Sequence, residues 1–578
     1  MVKAGRPRSS ASARGAASAS RAARGRRLEY AALALILVFG LALTFMFYKG
    51  MSNYGDDFAY TSFVPGILTG SYQENLNIFS LRPVLLYPLA ASIAIFGYND
   101  YGAGMYDTIC YAIIIVLIYV WGRDLHSGRA GLIAALLFSF YPQNLEFNSA
   151  PSPMMPIVLM LMISAMLFWY GKRRSNPSYY WLSGVFTFLG ALTDPLGYVY
   201  VIFFIVYVFG SYAKDSLHAH RLEIDYLKLF YFLGLATAVV FLGVINVYTS
   251  NNGNPFFELN LTNSYYSAAG GADQIYYTNP SLTYYVNAYF SYGFTSIITS
   301  ALGMNGSLTP AAAASTIYNS IFNLYALNVG DYVLFPYFIV PLGLYLLYKR
   351  ENKSYYVLVW AAIVVLYMEF GTMSLTHYFP IYKLPRFTAI VTVPYMFIMG
   401  IALTRFYDSW KGKWQRYARA GLVVALVVLL LVTSLPDDYW LYIYNHNGQE
   451  FMKVMAAYLQ KAPNVTNIYA PALDPFYLDY YLKYPNVGIS EYDNGSYAGL
   501  FLPNCSSVPP NTYLVIPTPT DINIINSEHL WSVNESWAFN PSECNFTEYA
   551  NIYGNSTIAA LNGSIVDRLF AGDLYYNP

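Results

Sequence analysis

The sequence predicts a polytopic α-helical membrane protein with a C-terminal α/β domain outside the membrane. Of its 578 residues, 56% are hydrophobic and only 11% are charged, whereas a soluble domain is about a quarter charged. Windows of about 18 or more apolar residues can cross a hydrocarbon core ~30 Å thick, and the chain has eleven such windows. The apolar windows end at residue 435, where short patterned segments begin.

The apolar windows define a predicted transmembrane module over residues 30–435. They lie at 31–48, 104–121, 130–147, 153–170, 179–194, 196–212, 227–248, 331–348, 354–372, 387–404 and 420–435. Two semi-apolar stretches within residues 284–325 could add another pair, so we expect 11 to 13 spans.

The distribution of Lys and Arg predicts the orientation, because these residues are retained on the cytoplasmic side. With the N-terminus inside and alternating spans, only eight of the 32 basic residues fall outside, although the outside segments are far longer. These are Lys49, Arg82, Lys383, Arg386, Lys453, Lys461, Lys483 and Arg568. The sequence therefore predicts outer loops at 49–103 and 249–330 and an extracytoplasmic C-terminus, in a plasma membrane or a secretory-pathway membrane.

The two ends of the chain differ from the membrane module in composition. Residues 1–29 are rich in Ala, Ser, Gly and Arg and lack the apolar surface needed to fold, which predicts a disordered basic cytoplasmic tail near anionic lipid. Residues 436–578 form the predicted outer α/β domain, in which 451–461 has helical spacing and "NIYAP" and "TYLVIP" are typical of strands.

The outer domain also has features of a secreted environment. Cys505 and Cys544 could form a disulfide there or remain free thiols, whereas Cys110 is expected to be a buried apolar residue of the second span. N-glycosylation sequons in this domain predict a glycoprotein. They occur at Asn464, Asn494, Asn504, Asn534, Asn545, Asn555 and Asn562.

Two adjacent carboxylates, Asp56 and Asp57, follow the first span in the stretch "MSNYGDDFAY". Such a pair is either a solvated helix cap or part of a functional site. The stretch "RPVLLYPLAASIAIFG" comes next, with Arg82 at its head, and is predicted to be a short helix along the membrane surface.

The order of these motifs resembles the GT-C glycosyltransferases, in the branch of the protein O-mannosyltransferases and aminoarabinose transferases. The matching features are "GDDFAY", a surface helix beginning "RPxxxY", a second span ending "GRDLHSGRAG" and a third span ending "FSFYP". Asp56, Asp57 and Tyr60 match the Asp-Glu-x-x-Tyr-like motif of that branch, with Asp in place of Glu. Residues 382–403 are similar to the Arg-containing start of a late span in the family.

The resemblance implies that a hexosyl or pentosyl group moves from a polyprenyl- or dolichyl-phosphate donor to a protein, lipid or glycan acceptor, with inversion at the anomeric carbon. Asp56 would be the catalytic base. Asp57 would orient it, hold a sugar hydroxyl, or join Asp56 in binding a divalent cation such as Mg²⁺ or Mn²⁺; whether a metal is required stays open. The expected partners are the lipid donor, the acceptor and membrane lipid, with no nucleic acid.

The leaving lipid phosphate needs positive charge at the membrane surface. Few outer basic residues lie near spans, so Arg386 and Lys383 are the first candidates to bind the phosphate and Arg82 is the next, although these side chains could instead extend to lipid headgroups. Tyr60, Asp194 and His377 could line the same cavity.

One position departs from the family pattern. Many relatives carry another acidic residue near the start of the fourth span, where this chain has Met154 and Met155. A second catalytic carboxylate is therefore in doubt, unless Asp194 or Glu146 replaces it.

Two other classes of protein remain as alternatives. A transporter would use an ionisable group within the membrane, for which Glu369 is the candidate. The catalytic subunit of an oligosaccharyltransferase shares the fold and an early acidic motif, but its Trp-Trp-Asp-Tyr-Gly signature is absent from the predicted outer domain.

Overall fold

The computed structural model describes a helical bundle and one β-sheet. The described residues are 9–51, 56–72, 78–219, 225–249, 254–258, 260–262, 264, 339, 341–349, 354–370, 389–409, 413–461, 467–470, 488–491, 512–517, 547–553 and 571–577.

Fourteen helices are numbered here in chain order within these ranges. They are α1 (Ser9–Met46), α2 (Asp56–Ser62), α3 (Val64–Thr69), α4 (Pro83–Phe96), α5 (Asp100–Leu125), α6 (Gly128–Ser139), α7 (Pro142–Phe147), α8 (Met154–Arg174), α9 (Pro177–Thr193), α10 (Tyr198–Ala219), α11 (Leu229–Thr249), α12 (Tyr355–Phe370), α13 (Ala389–Asp408) and α14 (Lys413–Lys461).

Six of the described helices are long and apolar enough to cross a membrane. These segments are Gly25–Met46, Asp100–Leu125, Met154–Arg174, Pro195–Ala213, Tyr226–Val247 and Ala389–Asp408. Four shorter apolar helices accompany them in the same part of the chain. The prediction of an integral, multi-pass membrane protein is therefore confirmed, and the total of 11 to 13 spans stays a prediction.

The predicted third span, 130–147, is wrong as a single helix. Helix α6 ends at Ser139, and a separate short helix, α7, begins at Pro142. Proline lacks an N–H group and restricts the residue before it to extended conformations. Tyr141 is accordingly extended, with φ −67° and ψ 122°. The break leaves a turn and a short helix where the sequence predicts continuous helix.

Two predicted domain boundaries fall inside helices. Helix α1 begins at Ser9, so residues 9–29 of the tail that we predicted to be disordered continue the first span as helix. Ala and Arg have high helix propensity, and a helix that is already nucleated extends at little cost. Helix α14 likewise runs without interruption across residue 436, where the sequence predicts a new domain.

The core of the bundle forms where α5, α6, α8 and α13 pack together. Gly122 of α5 and Gly131 of α6 permit close contact, since a Cβ at Gly122 would lie 2.7 Å from the Gly131 Cα. Trp121 packs against Trp360 and Phe397, with ring centroids 5.7 and 5.0 Å away. Small residues and buried aromatic rings therefore hold these helices together, as expected in a bilayer.

The bundle has two chemically distinct ends. The acidic end is defined by Asp56 and Asp57 at the start of α2, together with α4, the start of α5 and residues 148–153. The chain after α1 is joined to this end by two hydrogen bonds. The Lys49 N–H donates to the Ser149 Oγ at 3.1 Å, and the Gly50 N–H donates to the Ser149 carbonyl at 2.9 Å. The basic end is defined by the last turns of α5, α8 and α13 and the first turn of α6, where Arg and Lys are concentrated.

Five strands form one mixed sheet in the order β2–β1–β3–β5–β4. The strands are β1 (Asn467–Ala470), β2 (Gly488–Glu491), β3 (Thr512–Pro517), β4 (Thr547–Tyr553) and β5 (Ala571–Asn577). Strand β1 pairs in parallel with β2 and β3, whereas β5 pairs antiparallel with β3 and β4. The two strands expected from "NIYAP" and "TYLVIP" correspond to β1 and β3.

The crossing of α9 and α11 gives a test of this packing. A Cβ added at Gly234 would lie 1.9 Å from the carbonyl oxygen of Trp181, and two backbones in contact cannot both move away cheaply. We expect Gly234→Ala to lower the unfolding temperature of the detergent-solubilised protein. The matched control is Gly210→Ala, because nothing lies within 4 Å of a Cβ there. An equal unfolding temperature for the two variants would contradict the described crossing.

Candidate functional site

The acidic pair begins helix α2, where both carboxylates lie in the first turn. Carboxylates are favourable at this position because the N-terminus of a helix carries partial positive charge. The pair is not a solvated cap, however, since Asp57 is only 3% exposed and Asp56 is half-buried. Burial of a carboxylate is costly unless polar groups compensate for it, which favours a functional site over a surface cap.

Arg82 connects the acidic end through an ion pair, a hydrogen bond and contacts with two aromatic rings. It precedes α4 and forms an ion pair with Asp194, with 3.0 Å between Nη1 and Oδ2. The same Nη1 donates a hydrogen bond to the hydroxyl of Tyr60. The guanidinium also lies 5.2 Å from the centroid of the Tyr60 ring and 5.7 Å from that of Phe79, within the range of cation–π attraction. Three predicted site residues, Arg82, Tyr60 and Asp194, are therefore in direct contact.

The local sequence explains how these groups are placed. Tyr60 follows Asp57 by three residues on α2, so the two share a helix face, and Tyr60 is fully buried against α4. Asp194 ends α9 and caps the next turn, since its Oδ1 accepts from the Leu196 N–H at 2.9 Å. Its second oxygen thereby points to Arg82. The acidic pair and the basic group are thus held on one connected scaffold.

The structure also identifies a residue that the sequence analysis missed. Asp107, on the second turn of α5, is fully buried. The backbone N–H of Ser152 approaches it, and Asp57 lies close enough for the two carboxyl groups to interact electrostatically. The sequence does indicate this residue, because an ionisable side chain inside an apolar span is a candidate functional residue by default. The many apolar residues of "YDTICYAIIIVL" keep the average hydropathy high, so Asp107 does not stand out.

The second carboxyl group of the site does not come from the start of α8. Met154 and Met155 are buried in the hydrophobic core, so no carboxylate occupies the start of α8. Asp194 is engaged by Arg82, and Glu146 is only half-buried on α7. The buried carboxylate that interacts with Asp57 comes instead from α5, as Asp107.

Other predicted site residues lie outside the described part of the chain. These are Lys383, Arg386 and His377, and the same holds for Cys505 and Cys544. Cys110 is buried, as expected. Among the residues that the structure describes, no group of three or more His, Cys, Asp or Glu side chains could hold a metal ion. Asp56 and Asp57 alone give two candidate oxygen ligands.

The described arrangement can support displacement at a carbon that bears a phosphate leaving group. A half-buried carboxylate can accept a proton from an attacking hydroxyl. A buried guanidinium can neutralise an oxyanion, and its five N–H donors allow it to bind a phosphate while keeping a carboxylate partner.

A comparison with protein families matches residues 82–243 to the family model described as dolichyl-phosphate-mannose-protein mannosyltransferase. The matched segment begins at Arg82 and includes Asp107 and Asp194. No curated protein matches the chain.

Solved structures give a second comparison. The oligosaccharyltransferase of Archaeoglobus fulgidus, in complex with zinc and sulfate, superposes with a TM-score of 0.55 at 12% identity, over 87% of this chain and 69% of that one. ArnT from Cupriavidus metallidurans, bound to undecaprenyl phosphate, gives a TM-score of 0.51 at 13% identity, over 94% and 97%. The fold is shared with both proteins, and with the family match it confirms the resemblance to the GT-C glycosyltransferases.

The contact between Arg82 and Asp194 gives a stability prediction. Their side chains are 10% and 6% exposed, and removing one member of a buried pair costs roughly 3–5 kcal/mol because the other charge stays buried. We expect Asp194→Ala to destabilise strongly and the Arg82→Met/Asp194→Leu double variant to recover part of the loss. The free energy of unfolding in detergent would measure both.

A matched control is the exposed pair of Arg129 and Asp408 at the basic end, with 3.3 Å between Nη1 and Oδ1. Exposed pairs contribute little, so Asp408→Ala should have a much smaller effect. Equal losses for Asp194→Ala and Asp408→Ala would show that burial of the Arg82 pair does not contribute to stability.

Proposed function

We propose that this protein is a membrane glycosyltransferase that moves a sugar from a polyprenyl- or dolichyl-phosphate donor to an acceptor hydroxyl or other nucleophile. The observation that carries the proposal is the acidic pair of α2, held beside a buried arginine through Tyr60. A base next to a phosphate-binding group is the minimum that this reaction needs. The matched family model and the shared fold support the same class of enzyme.

Asp56 is the proposed catalytic base, since it is the more exposed of the two carboxylates and can meet an acceptor. Asp57 is buried behind it and is proposed to orient it or to bind a sugar hydroxyl. Arg82 is proposed to contact the donor phosphate. Lys383 and Arg386 stay predicted phosphate ligands, and Tyr60, Asp194 and His377 stay predicted cavity residues.

The donor class follows from charge and from the comparisons. A lipid phosphate has an apolar tail that suits a site at the end of membrane helices and an anion that suits Arg82. The ArnT structure contains undecaprenyl phosphate, and the matched family is named for a dolichyl-phosphate sugar. The sugar and the acceptor, whether protein, lipid or glycan, stay open, as does a requirement for Mg²⁺ or Mn²⁺.

The alternatives differ in what they require. The fold similarity to an oligosaccharyltransferase keeps transfer to an asparagine side chain as a second candidate, although the signature of that enzyme's outer domain is missing from the sequence. A transporter would depend on Glu369, which belongs to α12. The buried acidic pair and Arg82 favour the enzyme, because a transporter gains nothing from a base beside a phosphate-binding group.

The orientation is part of the proposal. We propose that the acidic end faces the extracytoplasmic side and the basic end the cytoplasm, because Lys and Arg are retained inside. The described sheet would then belong to an extracytoplasmic α/β domain.

The proposed function has a direct test. Purified protein would be incubated with a panel of radiolabelled polyprenyl- and dolichyl-phosphate sugars, and release or transfer of the sugar would be measured. We expect turnover by the wild type and a loss of about 10²- to 10⁴-fold in Asp56→Asn, the range for removal of a general base.

The control is Asp124→Asn, the same change on α5 at the basic end, where Asp124 accepts a hydrogen bond from Tyr170 at 2.6 Å. This variant should keep wild-type activity. Full activity of Asp56→Asn would exclude it as the base. If the folded wild type turns over no donor in the panel, transport by Glu369 variants becomes the next measurement.

The proposed orientation predicts where glycans attach. In a host that N-glycosylates proteins, sequons of the C-terminal region such as Asn464 should be modified. The sequon at Asn352 lies in a loop that is predicted to be cytoplasmic, so it should not be modified. Mass spectrometry before and after glycosidase treatment would measure occupancy. A glycan on Asn352 with none on the C-terminal sequons would reverse the orientation.

A further inference from the structure

The buried carboxylates of the described residues differ in how they are compensated. Four are less than 9% exposed: Asp57, Asp107, Asp194 and Glu258. Asp194 pairs with Arg82, and Glu258 accepts a hydrogen bond from Asn246. The carboxylate of Asp107 has no such side-chain partner within the described ranges. Neither of its oxygens, both inaccessible to solvent, accepts a hydrogen bond of good geometry there.

The surroundings of Asp107 place it in the acidic end and not in the hydrophobic core. It interacts electrostatically with Asp57, and the backbone N–H of Ser152 approaches it. The next residue, Thr108, donates a hydrogen bond to the carbonyl of Asn148 at 2.9 Å. Helix α5 is in contact with this segment, since a Cβ at Gly104 would lie 1.9 Å from the Ser149 carbonyl. Asp107 thus lies between the acidic pair and residues 148–152.

A second unsatisfied acceptor, the side-chain oxygen of Asn148, belongs to the same acidic end. Asn148 is fully buried and its Nδ2 donates to Thr44 Oγ1 at 2.7 Å. Its Oδ1 is inaccessible and has no hydrogen-bond partner in the part of the chain that the structure describes. Buried polar atoms are almost always satisfied by protein, water or ligand, so the unsatisfied oxygens of these two residues of the acidic end could accept hydrogen bonds from a ligand.

The chemistry of a ligand that would suit these atoms is limited. Carboxylate and amide oxygens accept hydrogen bonds, so such a ligand must donate them. A lipid phosphate does not suit them, because its own oxygens are hydrogen-bond acceptors. Several hydroxyl groups on one small molecule fit this set of acceptors, and a sugar provides them.

We propose that Asp107 and Asn148 form the subsite that binds hydroxyl groups of the sugar on the lipid-phosphate donor. The inference rests on the proposed function and extends it by assigning the two ends of the donor. The phosphate lies toward Arg82, and the sugar hydroxyls lie toward Asp107, near the buried Asp57 and its half-buried neighbour Asp56. Asp107 is then a substrate-binding residue that discriminates a glycosylated lipid phosphate from the free lipid phosphate.

The test compares two kinds of ligand on the full-length protein. Affinities would be measured for the radiolabelled lipid-phosphate sugars that the wild type binds and for the sugar-free dolichyl and undecaprenyl phosphates. We expect Asp107→Asn to weaken binding of the sugar-bearing lipids by about 10- to 100-fold, as for loss of a hydrogen bond to a charged group. Binding of the sugar-free lipids should stay unchanged. Asn148→Ala should show the same selectivity with a smaller effect.

The controls separate the possible failures. Asp124→Asn, on the same helix at the basic end, should leave both affinities unchanged. Equal weakening for both kinds of lipid, no weakening, or loss of the fold in Asp107→Asn would assign this carboxylate a structural role and overturn the subsite. The subsite would also be overturned if the wild type bound the sugar-free lipids but none of the sugar-bearing lipids. Binding of neither kind of lipid by the folded wild type would overturn the proposed function itself.

Discussion

The acidic end depends on one constraint, which is that a buried guanidinium must be neutralised. Arg82 lies at the start of α4 and pairs with Asp194 at the end of α9. It also donates a hydrogen bond to Tyr60 of α2. Asp194 is more than a hundred residues away from Arg82 and Tyr60 in the sequence. Because an unpaired buried charge is so unfavourable, the ion pair fixes the three segments relative to one another, and the acidic pair of α2 is positioned as a consequence.

The interruption of the third predicted span also shapes the acidic end, on the side where Asp107 lies. A continuous helix over 130–147 would have used its backbone polar groups internally. Since α6 ends at Ser139, the chain forms α7 and then residues 148–153. There the Ser149 carbonyl accepts from the Gly50 N–H and the Asn148 carbonyl accepts from Thr108 of α5. The polar surroundings of Asp107 therefore arise from a break in the helix, and Pro142 is its local cause.

Much of the fold could be predicted from the sequence, because long apolar windows leave few alternatives to membrane helices. The motif of Asp56, Asp57 and Tyr60, and the Arg82 that follows, were also visible. The ion pair between Arg82 and Asp194 was not, since only tertiary structure brings those residues together. Asp107 was hidden because a hydropathy window averages one carboxylate with many apolar neighbours. The helix over residues 9–29 is explained by the high helix propensity of Ala and Arg, which the low hydrophobicity of this segment does not reveal.

Charge also decides which way a donor can lie in the proposed site. Asp57 and Asp107 interact within one buried region, where Coulomb forces are stronger than in water. A phosphate placed there would bring acceptor oxygens next to two carboxyl groups, whereas at Arg82 it meets a guanidinium that can keep Asp194 as a partner while donating other N–H groups. The hydroxyl groups of a sugar can both donate and accept, so they can form hydrogen bonds with the carboxyl groups. The anomeric carbon joins the two parts, so in the proposed orientation it lies between Arg82 and the carboxyl groups, on the side of the site that α2 lines.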